Sequence, residues 1–460
     1  MLSKKVNGWL DTKNESKIFK FADEYKEFLN ENKTEHNLIA NAIKLIEKKG
    51  FKNFEKVKKL KYQDKVYFKN SNKNLILAII GKNIEEGFNM IASHIDAPRI
   101  DLKPNPLYEE NELALFKTRF YGGIKKYQWV SLPLALHGEI ILKNGKKIEI
   151  KIGENENDPI FCIPDILPHL DRTVQRKRTS ENLIAGEELR ILVGSQPYKL
   201  KKIDIKEKVK YTIMKYLNDN YKIEEDDFSV AELQIVPALK AKDVGFDRAL
   251  IGGYGQDDRI CAFTSINALL ELDDKNITKT AIAYLVDKEE IGSFGSTSLD
   301  SNFLELCIGE LIEKITGKYN ENILRRIFWK SHAICADVTG AINPIFKSAY
   351  EPQNAAKLNY GVNLSKYTGG AGKYHSSDAN LEFIGELKKI FNENNVKYQF
   401  SELGKVEEGG GGTFAMHIEK KGIKTIDMGP SLLSMHSPFE ISSKFDLYHT
   451  FLAYLNFYKI

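Results

Sequence analysis

Two apolar runs near the amino terminus, NLILAII at residues 74–80 and NMIAS at 89–93, read as strands buried on both faces. They open an alternation of strand and helix that breaks off near residue 99 and resumes after residue 234. This interruption constrains the fold more than any other feature. Alternation of this kind makes a largely parallel sheet covered by helices, and such a sheet tolerates a long interruption only as an insertion with its own fold. The expected architecture is α/β: a three-layer domain with a mostly parallel central sheet, built from residues 1–98 and 235–460. Residues 99–234 form an inserted β-rich domain.

The individual elements follow from periodicity. Phe19, Tyr25, Phe28 and Leu29 recur at helical spacing. Residues 35–49 put Leu38, Ile39, Ala42, Ile43 and Ile46 on one face and stop at Gly50. A strand is expected at 65–69. After the interruption, helices are expected at 259–272, 303–316, 378–394 and 445–458, and strands at 278–286, 333–336 and 424–427. Within the insertion, IILKNGKKIEIKI at 140–152 reads as a hairpin about Asn144-Gly145. A helix is expected near 203–218, and the charged run 201–210 is read as a solvated face.

Composition narrows the function. The chain has 460 residues, 42% of them hydrophobic, enough for substantial cores. Lys and Arg number 67 against 63 Asp and Glu, a net charge of +4, which argues against a nucleic-acid partner. No apolar run reaches 18 residues, and MLSKKVNGWLDTKNES lacks an apolar signal core. Cys162, Cys261, Cys307 and Cys335 are scattered without a CxxC, so neither a disulfide scaffold nor a thiolate zinc site is expected. The expectation is a soluble cytoplasmic protein with no membrane partner.

Open α/β sheets bind ligands beyond the carboxyl ends of their strands. There the run MIAS ends in His94-Ile95-Asp96, and IAYLVD is followed by Glu289-Glu290. AICA ends in Asp337, TIDMG is followed by His436, and the turn GGYGQDDR delivers Asp257 and Asp258 before a helix. So many carboxylates together would repel and rise in pKa; a divalent cation resolves the conflict. Imidazole with carboxylate suits zinc, manganese or cobalt. The ligand count exceeds one tetrahedral zinc and matches two ions about 3.5–4 Å apart sharing a carboxylate. Singly, each residue has a plainer reading. Asp257-Asp258 suits a helix N-cap pair, Glu289-Glu290 a helix start or a solvated turn, Asp337 a strand end, and a strand-end histidine the surface. Jointly they fall at one sheet edge.

Other signals are weaker. Thr368-Gly369-Gly370-Ala371-Gly372-Lys373 resembles a phosphate loop but has Tyr367 where that motif needs its first glycine and Tyr374 where it needs Ser or Thr. Residues 409–412, all glycine, are either a flexible turn or a backbone that a substrate approaches closely. Ser296 has no G-x-S-x-G around it.

Five segments, ASHIDAPRIDLKP, GYGQDDRICAF, VDKEEIGSFGS, ICADVTGAINP and SMHSPFEI, resemble in order and spacing the signatures of the aspartyl aminopeptidase and vacuolar aminopeptidase I family of dinuclear metallopeptidases. The resemblance covers nearly the whole chain and implies a metallo-aminopeptidase releasing the N-terminal residue of peptides, with two divalent ions, zinc ahead of manganese or cobalt. It implies that His94 binds one ion and that Asp96 orients it from behind. Asp257 would bridge the ions while Asp258 would not be a ligand, and Glu290 would be a terminal ligand. Asp337 and His436 would each complete one ion, and Glu289 would be the general base. It also implies that the insertion is a dimerisation domain. His169, in IPDILPHL, would enter a neighbouring subunit's active site, and dimers would assemble into a tetrahedral dodecamer. Lys366, Gly411 and Gly412 would lie against the substrate. Where animal members carry D-T-P-C-G-T, this chain has Glu408 and four glycines before Thr413, which suggests a roomier pocket and leaves a preference for acidic N-terminal residues resting on Lys366. The competing readings are a deacylase or carboxypeptidase on the same scaffold and a non-catalytic assembly protein that keeps the fold.

Overall fold

The computed structural model describes residues 6–199, 205–273, 275 and 277–460. It divides into two compact units, Met1–Asp96 with Ala241–Met435 and Phe439–Ile460, and Ala97–Lys240 with His436–Pro438. The expected boundary at 234/235 falls inside the strand Ala231–Pro237. That strand pairs antiparallel with both Arg99–Glu110 and Leu134–Ile141, so its ladder keeps all of it in the smaller unit.

The larger unit is built on a nine-stranded sheet. Its strands run in the order Lys52–Asn53, Lys65–Asn70, Asn74–Ile79, Thr280–Val286, Phe88–His94, His332–Ala336, Lys424–Gly429, Val362–Ser365 and Tyr398–Phe400. Five neighbouring pairs are parallel and three antiparallel. The side-chain period of two explains how one apolar run serves two cores. Leu75, Leu77 and Ile79 face one cluster with the helices Glu15–Glu31, Glu35–Lys48 and Lys444–Phe457. Ile76 and Ala78 face the other with Phe303–Thr316 and Glu321–Lys330. Helix starts are capped where the sequence offers a short polar side chain. Thr34 accepts the Asn37 N–H, Asn380 that of Phe383, and Ser443 those of Phe445 and Asp446, each cap contributing about 1 kcal/mol.

Several elements lie outside the expected set. The helix Glu321–Lys330 is one. A second, five-stranded sheet is another, in the order Lys242–Val244, Leu250–Gly253, Glu440–Ser443, Ser431–Leu433, Thr339–Gly340. Its strands have only two to four residues each, too few to display a period.

The smaller unit holds an antiparallel six-stranded sheet, ordered Lys147–Ile152, Leu134–Ile141, Ala231–Pro237, Arg99–Glu110, Leu113–Tyr121 and Ile191–Gly194. The Asn144-Gly145 hairpin is present, with Gly145 at φ +80°. The longer of the two described α-helices of this unit is Lys208–Tyr221, burying Val209 and Leu217. The first residues of the expected 203–218 helix and of the 201–210 run, residues 201–204, lie outside the described residues, as do residues 1–5. Among the described residues no helix is long and apolar enough to cross a membrane.

Candidate metal centre

Three parallel strands bring the site together. Phe88–His94 is central, and His94 is its last residue. Thr280–Val286 lies on one side, with Val286 opposite His94, and the chain turns directly into Glu289 and Glu290. His332–Ala336 lies on the other side and delivers Asp337 one residue past its end. The turn after Thr280–Val286 is tight, with Lys288 at φ +72° and Gly292 at φ +96°. The fourth contributor is the start of the helix Gln256–Leu270. Asp257 and Asp258 depart there from helical backbone angles, and the peptide bond between them is cis.

The two adjacent aspartates do different things. Asp258 Oδ1 accepts the Cys261 N–H at 3.3 Å, three residues on, as a helix cap does. Asp257 turns instead toward His94, whose Nε2 lies 3.0 Å from Asp257 Oδ1 and 3.7 Å from Asp337 Oδ1. The other ring nitrogen, Nδ1, lies 3.1 Å from the Asp96 carbonyl and 3.4 Å from its carboxylate. Both of those partners only accept, so Nδ1 carries a proton and Nε2 is the nitrogen that faces the two carboxylates. That contact is favourable only with a positive charge between them, a proton on Nε2 or a cation. The donor set therefore fits a divalent cation.

Asp96 ties the edge together. Fully buried, its carboxylate accepts the backbone N–H groups of Glu289, 3.2 Å, and Glu290, 3.1 Å, as well as facing His94. It thus fixes the ligand ring and the Glu289-Glu290 turn at once, the role that partners of metal ligands commonly play. The donor atoms of His94, Glu289 and Glu290 form one group in which all lie within 4.8 Å of one another, and those of His94, Asp258 and Asp337 form another. Asp258 is thus within reach of the centre as well as serving as a cap.

The electrostatics report the same crowding. Burial pushes the Glu289 carboxyl up to about 8, helped by Asp337, Asp96 and Asp257 and opposed by His94. Burial also raises Asp337 and Asp258. Burial alone would lower His94, but its contacts with Asp257, Asp337 and Asp96 outweigh that and hold it well above its ordinary value. Without a cation, protons take the cation's place.

The remaining expected site residues are placed as follows. His436 belongs to the smaller unit, where its Nδ1 donates to the Gly123 carbonyl at 2.9 Å. His169 sits in an exposed turn of the same unit. In the larger unit, Lys366 is exposed just past the strand Val362–Ser365, and Gly411 and Gly412 lie in the loop before Thr413.

Two contributors escaped the sequence reading. Glu440, in the five-stranded sheet, accepts the Asp257 N–H at 3.1 Å, and the Gln256 amide bonds to the Glu440 and Ile251 carbonyls. Phe414, buried, sets its ring edge-on to His94 at 6.2 Å. Glu440 is inside the segment SMHSPFEI, but nothing local marks it as a partner of Asp257, 183 residues away.

Comparison with known proteins identifies the family. Residues 28–458 match the family described as aminopeptidase I zinc metalloprotease (M18). A probable M18 family aminopeptidase 1 of Borreliella afzelii is 52% identical over 99% of this chain and 100% of its own length. The crystal structure of an M18 aminopeptidase from Thermotoga maritima is 41% identical, covers 100% of both chains and superposes with a TM-score of 0.95. The S. cerevisiae mApe1 dodecamer structure, 22% identical over 95% of this chain and 96% of that one, shares the fold at a TM-score of 0.75. The chain therefore belongs to the aminopeptidase I zinc metalloprotease (M18) family and is a metallo-aminopeptidase, a hydrolase that releases the N-terminal residue of peptides.

Proposed function

We propose that this aminopeptidase works with two zinc ions held by His94, Asp257, Glu290, Asp337 and His436, with Asp257 shared between them. The observation that carries the reading is His94: its Nδ1 is tied to Asp96 while Nε2 faces two carboxylates. His94 and Asp337 would serve one ion, Glu290 and His436 the other. Bound zinc supplies Lewis acidity that polarises the scissile carbonyl and lowers the pKa of a water.

The chain's own residues do the rest. Glu289, set at the strand edge beside Glu290 and within 4.8 Å of the His94 donor atom, is placed to act as the general base. It takes the water's proton and returns it to the leaving amine. Asp96 keeps Glu289 in place through the backbone of its turn and keeps His94 in the ligating tautomer. His169, supplied by a neighbouring copy, would donate a hydrogen bond to the developing oxyanion, a role worth about 3 kcal/mol. The S. cerevisiae mApe1 structure is a dodecamer, which supports assembly of dimers into a dodecamer here too. Lys366 supplies the cation for an acidic N-terminal side chain, and the site of action is the cytoplasm.

The test is a panel of acidic, neutral and basic aminoacyl anilides, each with a free and a blocked amine. The stripped protein is assayed alone and with zinc, manganese or cobalt restored. Cleavage of free-amine substrates only, abolished by chelation and restored by metal, is expected, with the acidic members fastest. Equal cleavage of blocked substrates would transfer the assignment to a deacylase or carboxypeptidase. Faster cleavage of the leucine anilide would reverse the acidic preference.

A further inference from the structure

Two glycine-rich loops flank the strand Lys424–Gly429, and one carboxylate joins them. Asp427 is paired in register with Cys335 on one side and Ser365 on the other. Its side chain is buried, 4% exposed. Oδ1 accepts the Thr413 hydroxyl and Oδ2 the Ser377 hydroxyl, both at 2.5 Å. Thr413 ends the loop 402–413. Ser377 belongs to the loop 366–379, which starts at Lys366 and closes where the Ala379 N–H meets the Lys366 carbonyl.

The loops also interlock through their backbones. The Gly369 N–H donates to the Gly411 carbonyl at 3.0 Å. A Cβ added at Gly410, φ +110°, would lie 2.3 Å from the Gly369 carbonyl oxygen, and one at Gly409 would lie 2.4 Å from that of Leu403. Gly410 is therefore consumed by packing against the other loop, and Gly409 by packing within its own. At Gly412 an added Cβ meets no described atom within 4 Å. The roomier pocket expected from the glycine run thus shrinks to its last members. From Thr413 the chain passes straight into Phe414, whose ring abuts His94.

We propose that Asp427 is a positioning residue that clamps the loops 366–379 and 402–413 into one wall of the substrate pocket and so sets substrate affinity rather than the chemical step. This rests on the reading that Lys366, Gly411 and Gly412 lie against the substrate. Loop hydroxyls held by one buried carboxylate fix the wall before the peptide arrives, so less ordering remains to be done on binding. Loss of the clamp appears in KM, because ground state and transition state use the same wall.

The experiment uses the metal-loaded protein and an aminoacyl anilide. Asp427→Ala is expected to raise KM roughly tenfold, the scale of a lost hydrogen bond to a charged group, with kcat and bound metal unchanged. The double variant Thr413→Val/Ser377→Ala should give the same rise, and adding Asp427→Ala to it should add nothing. If Asp427→Ala fails to fold, the two hydroxyl variants carry the test alone. A lower melting temperature with unchanged KM would reduce Asp427 to a structural role, and a fall in kcat with metal loss would place its effect at the centre; either overturns the proposal. Lys366→Ala and Gly412→Phe probe the underlying reading. If neither changes KM, the loops do not line the pocket and both fail; if they do and Asp427→Ala does not, only the clamp fails.

Discussion

The strand-edge cluster and the Asp427 clamp bury carboxylates in opposite ways. At the edge, Asp257, Asp337 and Glu289 crowd one imidazole and one another, and burial drives Glu289 and Asp337 upward. At the clamp, burial lifts Asp427 to about 6 while the Ser377 and Thr413 hydroxyls pull it back. The difference separates a cluster of like charges that calls for a counter-charge from a carboxylate that already has its partners. Buried like charges are tolerable only with a counter-charge, whereas a carboxylate held by two hydroxyls already has its partners.

Changes at the edge should therefore be the most severe. Glu289→Gln keeps shape but removes the proton acceptor, and turnover should fall at least roughly 10²-fold with bound metal unchanged. Activity near that of the unaltered protein in a metal-replete Glu289→Gln sample would break the assignment.

The comparison sharpens under chelation. For Glu289 the folded value of about 8 lies above the ordinary 4.5, so between those values the folded chain holds more protons than the unfolded one. Stability then falls as pH rises. His94, held above its ordinary value, acts with the same sign: its contribution is present at low pH and lost as pH rises. The metal-free protein should lose melting temperature more steeply from about pH 5 to about pH 8 than the metal-loaded protein, in which Asp446, raised by burial to about 8, and Glu419, raised by burial to about 7, still titrate. Scanning calorimetry with and without chelator reads both, and parallel pH profiles would contradict the contrast.

The smallest effects belong to the loops. Gly410→Ala forces a contact with the Gly369 carbonyl and a positive φ on a residue with a side chain, and should destabilise by about 1–3 kcal/mol. Gly412→Ala should lie within about 0.5 kcal/mol. Denaturant unfolding of the two variants orders them, and equal midpoints would show that the interlock does not bear on stability.

Much of the edge is legible in the sequence because each contributor sits where a strand-like run stops. His94, Glu289-Glu290 and Asp337 share that signature, and the runs are long enough to show which faces are buried. Asp257 and Asp258 are legible as a pair but not as individuals; only the structure separates the cap from the His94 partner. Glu440 and Asp427 act through contacts across long stretches of sequence, which local pattern does not encode. The glycine run is ambiguous for the same reason. Whether a missing side chain makes room for substrate or for packing within and between the loops depends on Gly369 and Leu403, which periodicity cannot place beside it.

The central claim, that the strand-edge carboxylates exist to hold metal, is tested most directly by counting it. Elemental analysis of the purified protein and of Asp257→Ala, alongside Asp258→Ala, measures bound zinc per chain. The account predicts two ions in the unaltered protein, loss of both in Asp257→Ala, and near-complete retention in Asp258→Ala. Two tightly held ions in Asp257→Ala, or an active enzyme that holds none, would contradict it.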